Sequence, residues 1–211
     1  MHSIKYSKIW AYSTMGLLAL SMSAAAHADE VHLTGSTQGR FNADPFGAND
    51  SLLALSFSNS IFDNDTVGGA LDLGGNPNPG SNFNNLGSFT LLSVNNTYNG
   101  NFDLMVTFTA PLGIAGGGSG TFTDHVTGTV SNGNGGVFID FDNTPQTFTF
   151  SNGTSTGSFS MFVNDVSIAP GQDVSLTAHV MGSQQAVPEP AGLVGVFVGA
   201  FALVSLARRR R

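Results

Sequence analysis

The chain has 211 residues, no cysteine, 10% charged side chains and a net charge of −7, which excludes disulfides, a thiolate nucleophile and any cysteine-ligated metal. Its basic residues lie almost entirely at the two ends. Between Asp29 and Val187 only Arg40 stands against thirteen acidic side chains, a net charge of −12, so the lysine and arginine contacts that nucleic acid or anionic lipid would need are missing there.

In chain order, Lys5 and Lys8 come first, followed by a mostly apolar stretch from Ile9 to Leu20. Ala26-His27-Ala28 then supplies the small-x-small pattern that signal peptidase accepts. Residues 1–28 therefore read as a secretory signal peptide, with cleavage expected before Asp29. The 29–181 stretch is long enough for one domain, and fifteen phenylalanines between Phe41 and Phe162 supply apolar volume for a core.

That body alternates with period two, the signature of strands with one buried face. Phe102, Leu104, Val106 and Phe108 alternate with Asp103, Met105, Thr107 and Thr109. Phe122, Val126 and Val130 alternate with threonines and His125, and Val137, Ile139 and Phe141 alternate with Phe138, Asp140 and Asp142. Further strands are expected at Val31 to Thr34, Leu52 to Phe57, Ser88 to Val94, Thr147 to Phe150, Ser158 to Val163 and Val174 to Val180. Clusters such as Gly116-Gly117-Gly118 and Asn132-Gly133-Asn134-Gly135-Gly136 read as turns, because glycine and asparagine tolerate positive φ. Eight to ten short strands without a helical period predict an all-β fold, an antiparallel β-sandwich or jelly roll. No fixed repeat supports a parallel β-helix. Lysine is scarce, so negative charge is expected to keep strand edges from pairing with other molecules.

Chemistry-bearing patterns are few. The chain lacks a zinc-binding His-Glu-x-x-His helix, a phosphate-binding loop and a dinucleotide-binding turn, and no catalytic residue and no enzyme activity is expected. His32, His125 and His179 fall on separate predicted strands and read as solvated or hydrogen-bonded. Two acidic clusters are candidates for a calcium site: Asp63-Asn64-Asp65, read as one loop, and Asp140-Phe141-Asp142-Asn143 at a strand end. Oxygen donors at alternate positions suit calcium, and Asp140 and Asp142 would share one side of an extended chain while Phe141 points inward. Aspartate and asparagine are equally ordinary turn residues, which leaves a purely structural reading open. Phe138 and Tyr98 are expected to be exposed aromatics on a strand face, able to stack on sugar rings.

The alternation gives way at Gly182-Ser183-Gln184-Gln185-Ala186, so 182–187 reads as a linker. Beyond it stand Val187-Pro188-Glu189-Pro190, an uncharged apolar run from Ala191 to Ala207, and Arg208-Arg209-Arg210-Arg211. As a helix, 191–207 would be roughly 25 Å long, at the short end of what crosses a bilayer core. The four arginines favour the cytoplasmic side for that end, which places the body outside. Two prolines keep Val187 to Pro190 extended and accessible at the membrane face.

Those three parts, in that order, resemble the PEP-CTERM sorting signal over residues 188–211. The resemblance implies a Gram-negative bacterium with an exosortase that recognises the signal and removes the tail. The protein would pass through the inner membrane and end at the cell surface or in the extracellular matrix, typically in species that make exopolysaccharide. Leu86-Gly87-Ser88-Phe89-Thr90, with Thr107-Phe108-Thr109-Ala110-Pro111 further on, looks like the choice-of-anchor type of β domain found ahead of this signal. Leu91 stands where that type would carry a histidine.

Overall fold

The computed structural model describes residues 30–47, 51–74 and 83–187; the expected signal peptide, 1–28, and the expected sorting signal, 188–211, lie outside the described residues. Within them every regular element is a strand and no helix occurs. There are fourteen strands: β1 (His32–Phe41), β2 (Ser51–Leu52), β3 (Leu55–Ser58), β4 (Ile61–Asp65), β5 (Ala70–Leu73), β6 (Ser88–Leu91), β7 (Asn96–Ala110), β8 (Ser119–Ser131), β9 (Asn134–Asp140), β10 (Gln146–Ser151), β11 (Ser155–Val163), β12 (Val166–Ile168), β13 (Gln172–Ser175) and β14 (Ala178–Ala186).

They form a six-stranded sheet, β12-β9-β8-β7-β1-β4, and two four-stranded sheets, β10-β11-β14-β5 and β13-β6-β3-β2. All strand pairs within the sheets are antiparallel. The six-stranded sheet faces both smaller ones, and two aromatic clusters join them. Phe102 of β7 meets Phe57 and Phe89 with ring centroids 4.9 Å apart, while Phe108 meets Phe148 at 5.0 Å and Phe159 at 4.8 Å. The molecule is sandwich-like, with its apolar faces turned inward.

Local chemistry explains several of these elements. Asn132 and Gly133, with φ of 50° and 74°, form a two-residue turn between β8 and β9, the hairpin geometry that an Asn-Gly pair favours. On β1 the inward positions include Gly35 and Gly39. A Cβ at Gly39 would strike the Phe57 ring and stand 2.8 Å from Phe102 Cε2, so the missing side chain is what lets these rings lie on the strand. Arg40, on the opposite face, donates from Nε to Asp103 at 2.8 Å and from Nη1 to the Asp44 carbonyl at 3.1 Å, with its guanidinium 4.2 Å from the Phe46 ring centroid.

Two expectations are corrected here. The 182–187 stretch is not a linker as far as Ala186, because β14 continues to that residue and pairs with β11 down to Ser155↔Ala186. Its polar composition marks exposed strand rather than connection. The single strand expected over Val174 to Val180 is two, β13 and β14, divided around buried Leu176 and belonging to different sheets.

Acidic residues sit at most of the sheet edges. Edge strand β4 carries Asp63 and Asp65, β5 carries Asp72, β13 carries Asp173, and Asp165 directly precedes β12. Repulsion between like charges there opposes edge-to-edge pairing, the role lysine often fills.

Candidate functional site

The outer face of the six-stranded sheet carries hydroxyl, amide and charged side chains and, on β9, one large exposed aromatic. Phe138 on β9 is 41% exposed, and its register partners are Thr127 on β8 and Ser167 on β12. An aromatic ring is thus flanked by a hydroxyl on each neighbouring strand. The next outward pair is His125 and Asp140, and His125 Nδ1 lies 3.2 Å from Asn101 Oδ1. A surface groove of about 360 Å³ runs alongside, lined by Thr127, Gly128, Gly136, Phe138 and Ser167 among others. Tyr98, expected to share this exposure, does not. It occupies an inward position on β7 and is 2% exposed, because the alternation that buries Phe102 also buries the residue four positions before it.

Asp63-Asn64-Asp65 is not a loop but part of edge strand β4. Strand alternation sends Phe62 into the core and both aspartates outward, where His32 of β1 stands between them. His32 Nε2 is 3.3 Å from Asp63 and Nδ1 is 2.8 Å from Asp65, with Thr34 Oγ1 3.1 Å from Nε2. His179 pairs with Asp72 instead. The three histidines therefore have separate partners, and among the described residues no three side chains of histidine, cysteine, aspartate or glutamate gather as a metal-ligating group.

The second acidic cluster lies at the end of β9. Phe141 is buried, as expected, while Asp142 Oδ1 accepts from Thr144 N at 3.1 Å and Thr144 Oγ1 at 2.7 Å, an Asx-type turn. Asp165 Oδ1 accepts the Phe141 N–H at 2.9 Å. The residue that sequence reading passed over is Asp124. It sits on β8 between Phe122 and Val126 on the same inward face and is 7% exposed. The signal was present in the sequence: a carboxylate at an apolar-parity position of an otherwise regular strand.

Asp124 Oδ1 accepts the Asp142 N–H at 2.8 Å, but Oδ2 is buried without a hydrogen-bond partner among the described residues. Burial raises the Asp124 carboxyl from 3.8 to about 6; the Asp142 N–H partly offsets this, and the negative charges of Asp142, Asp140 and Asp165 add to it. The folded chain therefore holds this proton more tightly than the unfolded chain. Its contribution to stability is complete below the unfolded value of 3.8 and is lost as pH rises through about 6. Asp124→Asn keeps an acceptor for the Asp142 N–H and removes the charge. In buffer free of divalent cations it should stabilise the protein at pH 7.5 by on the order of 2 kcal/mol, a gain that disappears near pH 4. Urea unfolding at the two pH values checks this; equal stabilities at pH 7.5 would mean that the buried charge is already compensated.

No protein-family model, curated protein or solved structure matches the chain. Its chemistry is therefore read from its own residues.

Proposed function

We propose that this is an exported, non-catalytic protein of the cell surface or extracellular matrix of a Gram-negative bacterium. In this reading signal peptidase removes 1–28, the apolar run 191–207 holds the chain in the inner membrane with Arg208 to Arg211 inside, and an exosortase recognises Pro188-Glu189-Pro190 and removes the tail. Before processing, a jelly-roll-like body would stand between two terminal helices. The observation that carries the proposal is the ordered sorting signal at one end of a chain whose other end reads as a signal peptide, with a single acidic body between. Intact-mass spectrometry of the protein recovered from its own host tests it. A mass starting at Asp29 and ending between Val187 and Ala191 is the expected result; a mass that retains 191–211 would make the protein a permanently anchored one and overturn the sorting assignment.

A second reading, that the body associates with exopolysaccharide as a carbohydrate-binding module, is supported by Phe138 between Thr127 and Ser167 on the outer face of the six-stranded sheet. Sugar rings stack on exposed aromatics, and flanking hydroxyls provide donors and acceptors at the ring edge. On an affinity gel of the host's polysaccharide, Phe138→Ala should weaken retention about fivefold. Equal migration of variant and parent would remove the face from consideration.

A further inference from the structure

We propose that the body binds a divalent cation of the calcium class between Asp124 and Asp142, with neutral oxygens of Thr144, Gln146 and bound water completing the shell. This goes beyond the sorting reading and does not depend on it. The starting point is the second oxygen of Asp124. The side chain is more than nine-tenths buried, and its Oδ1 is directed at the 140–142 segment by the Asp142 N–H. Its Oδ2 is shielded from solvent and has no hydrogen-bond partner among the described residues. A buried carboxylate oxygen left in that condition is costly and calls for a donor or a cation. The charged groups acting on it, Asp142, Asp140 and Asp165, are all negative. No arginine or lysine can answer that charge, since Arg40, the body's one such residue, is bound to Asp103.

The surroundings are suited to an ion. A pocket of about 390 Å³ is lined by Thr121, Thr123, Asp124, Asp142, Thr144 and Gln146, together with Phe122. Asp142 commits Oδ1 to Thr144, which leaves its other oxygen for a ligand. Gln146 donates through Nε2 to the Thr121 carbonyl at 2.7 Å, so its Oε1 is a free acceptor type at the same wall. Every donor is oxygen, which favours a hard cation over zinc or copper. Calcium fits better than magnesium because it accepts six to eight oxygens in irregular geometry, whereas magnesium demands a near-ideal octahedron. With two carboxylates in direct contact, the affinity belongs in the range of extracellular calcium modules, roughly 0.1–1 mM. Asp140 and Asp165 would act from outside the shell, by making the approach more negative. The carboxylates of β4 differ in that both face His32 on an exposed strand.

The test uses the full chain in detergent, stripped with chelator and titrated with calcium chloride by calorimetry and by thermal unfolding. The wild type should take up about one calcium ion, with its Tm raised several degrees at 10 mM. Asp124→Asn and Asp142→Asn should each abolish both the heat and the rise, while Asp65→Asn retains them. Magnesium at the same concentration should give less than half the shift. Absence of binding heat and of any Tm change in the wild type at 10 mM calcium would overturn the proposal. So would a calcium response that survives Asp124→Asn, because it would then belong to the exposed acids. Should Asp142→Asn unfold through loss of its turn, Asp124→Asn alone decides the matter, since it removes an unfavourable charge and retains the hydrogen bond.

Discussion

Replacing Phe102 by alanine will cost the protein about 3–5 kcal/mol, the range for removing a phenylalanine from a packed core. Phe102 is fully buried at the point where three parts of the fold meet. Its ring lies 5.0 Å from that of Phe41 on the neighbouring strand β1, 4.9 Å from Phe57 and Phe89 on the facing sheet, and 6.3 Å from Phe141 beyond β9. Edge-to-face contacts of this kind add to the burial term, and the substitution loses several at once. Collapse around the gap is limited because Gly39 contributes no side chain beneath the ring and the strand backbones cannot close in. The thermal midpoint should fall by roughly 10 °C, and Phe102→Leu should recover more than half of the loss. Thermal and urea unfolding of the three proteins measure both. A loss under 1 kcal/mol for the alanine variant would show that the two sheets are not held together at this cluster.

The second large effect is expected at Arg40. Arg40→Ala removes the cation from Asp103, whose side chain is only 9% exposed, and leaves a carboxylate without its counter-ion. Breaking such a pair from one side costs about 3 kcal/mol, more than the pair contributes over an uncharged replacement. The same change frees the 42–46 segment, which Arg40 holds through the Asp44 carbonyl and the Phe46 ring. Arg40→Lys should restore less than half, since an ammonium cannot bond the carboxylate and the carbonyl while lying flat on a ring. Adding Asp103→Asn to Arg40→Ala should recover about 2 kcal/mol by removing the stranded charge. A double variant as unstable as Arg40→Ala would assign the loss to packing of the loop rather than to the ion pair.

Strand content was legible because it is written in a two-residue period. The alternation of Phe102 to Thr109 places each side chain on its face without knowledge of any partner, and β7 follows it. The Asn132-Gly133 turn was legible for a similar reason: its backbone requirement lies in the two residues themselves. β4 and β5 were missed because both are short: Asp63-Asn64-Asp65 makes up most of β4 and reads as a turn, and β5 is only Ala70-Leu71-Asp72-Leu73, too brief to display the period. The candidate sites were less legible. Asp63 and Asp65 were found as a pair, but neither their place in a strand nor His32 between them followed from their spacing. Tyr98 looked available for a ligand until its parity was traced through the whole length of β7.

By itself the sequence determined an all-β body with inward phenylalanines, an acidic character between Asp29 and Val187, and the composition of both ends, since each is a property of residues close together in the chain. Tertiary structure alone decided which strands lie at the edges, that 182–186 is paired rather than free, and that Asp124 and Asp142 meet. Those outcomes depend on hydrogen bonds between distant segments, such as His32 with Asp65 or Ser155 with Ala186. A local pattern specifies the face a side chain takes, but the neighbour across the sheet is chosen by the packing of the entire core.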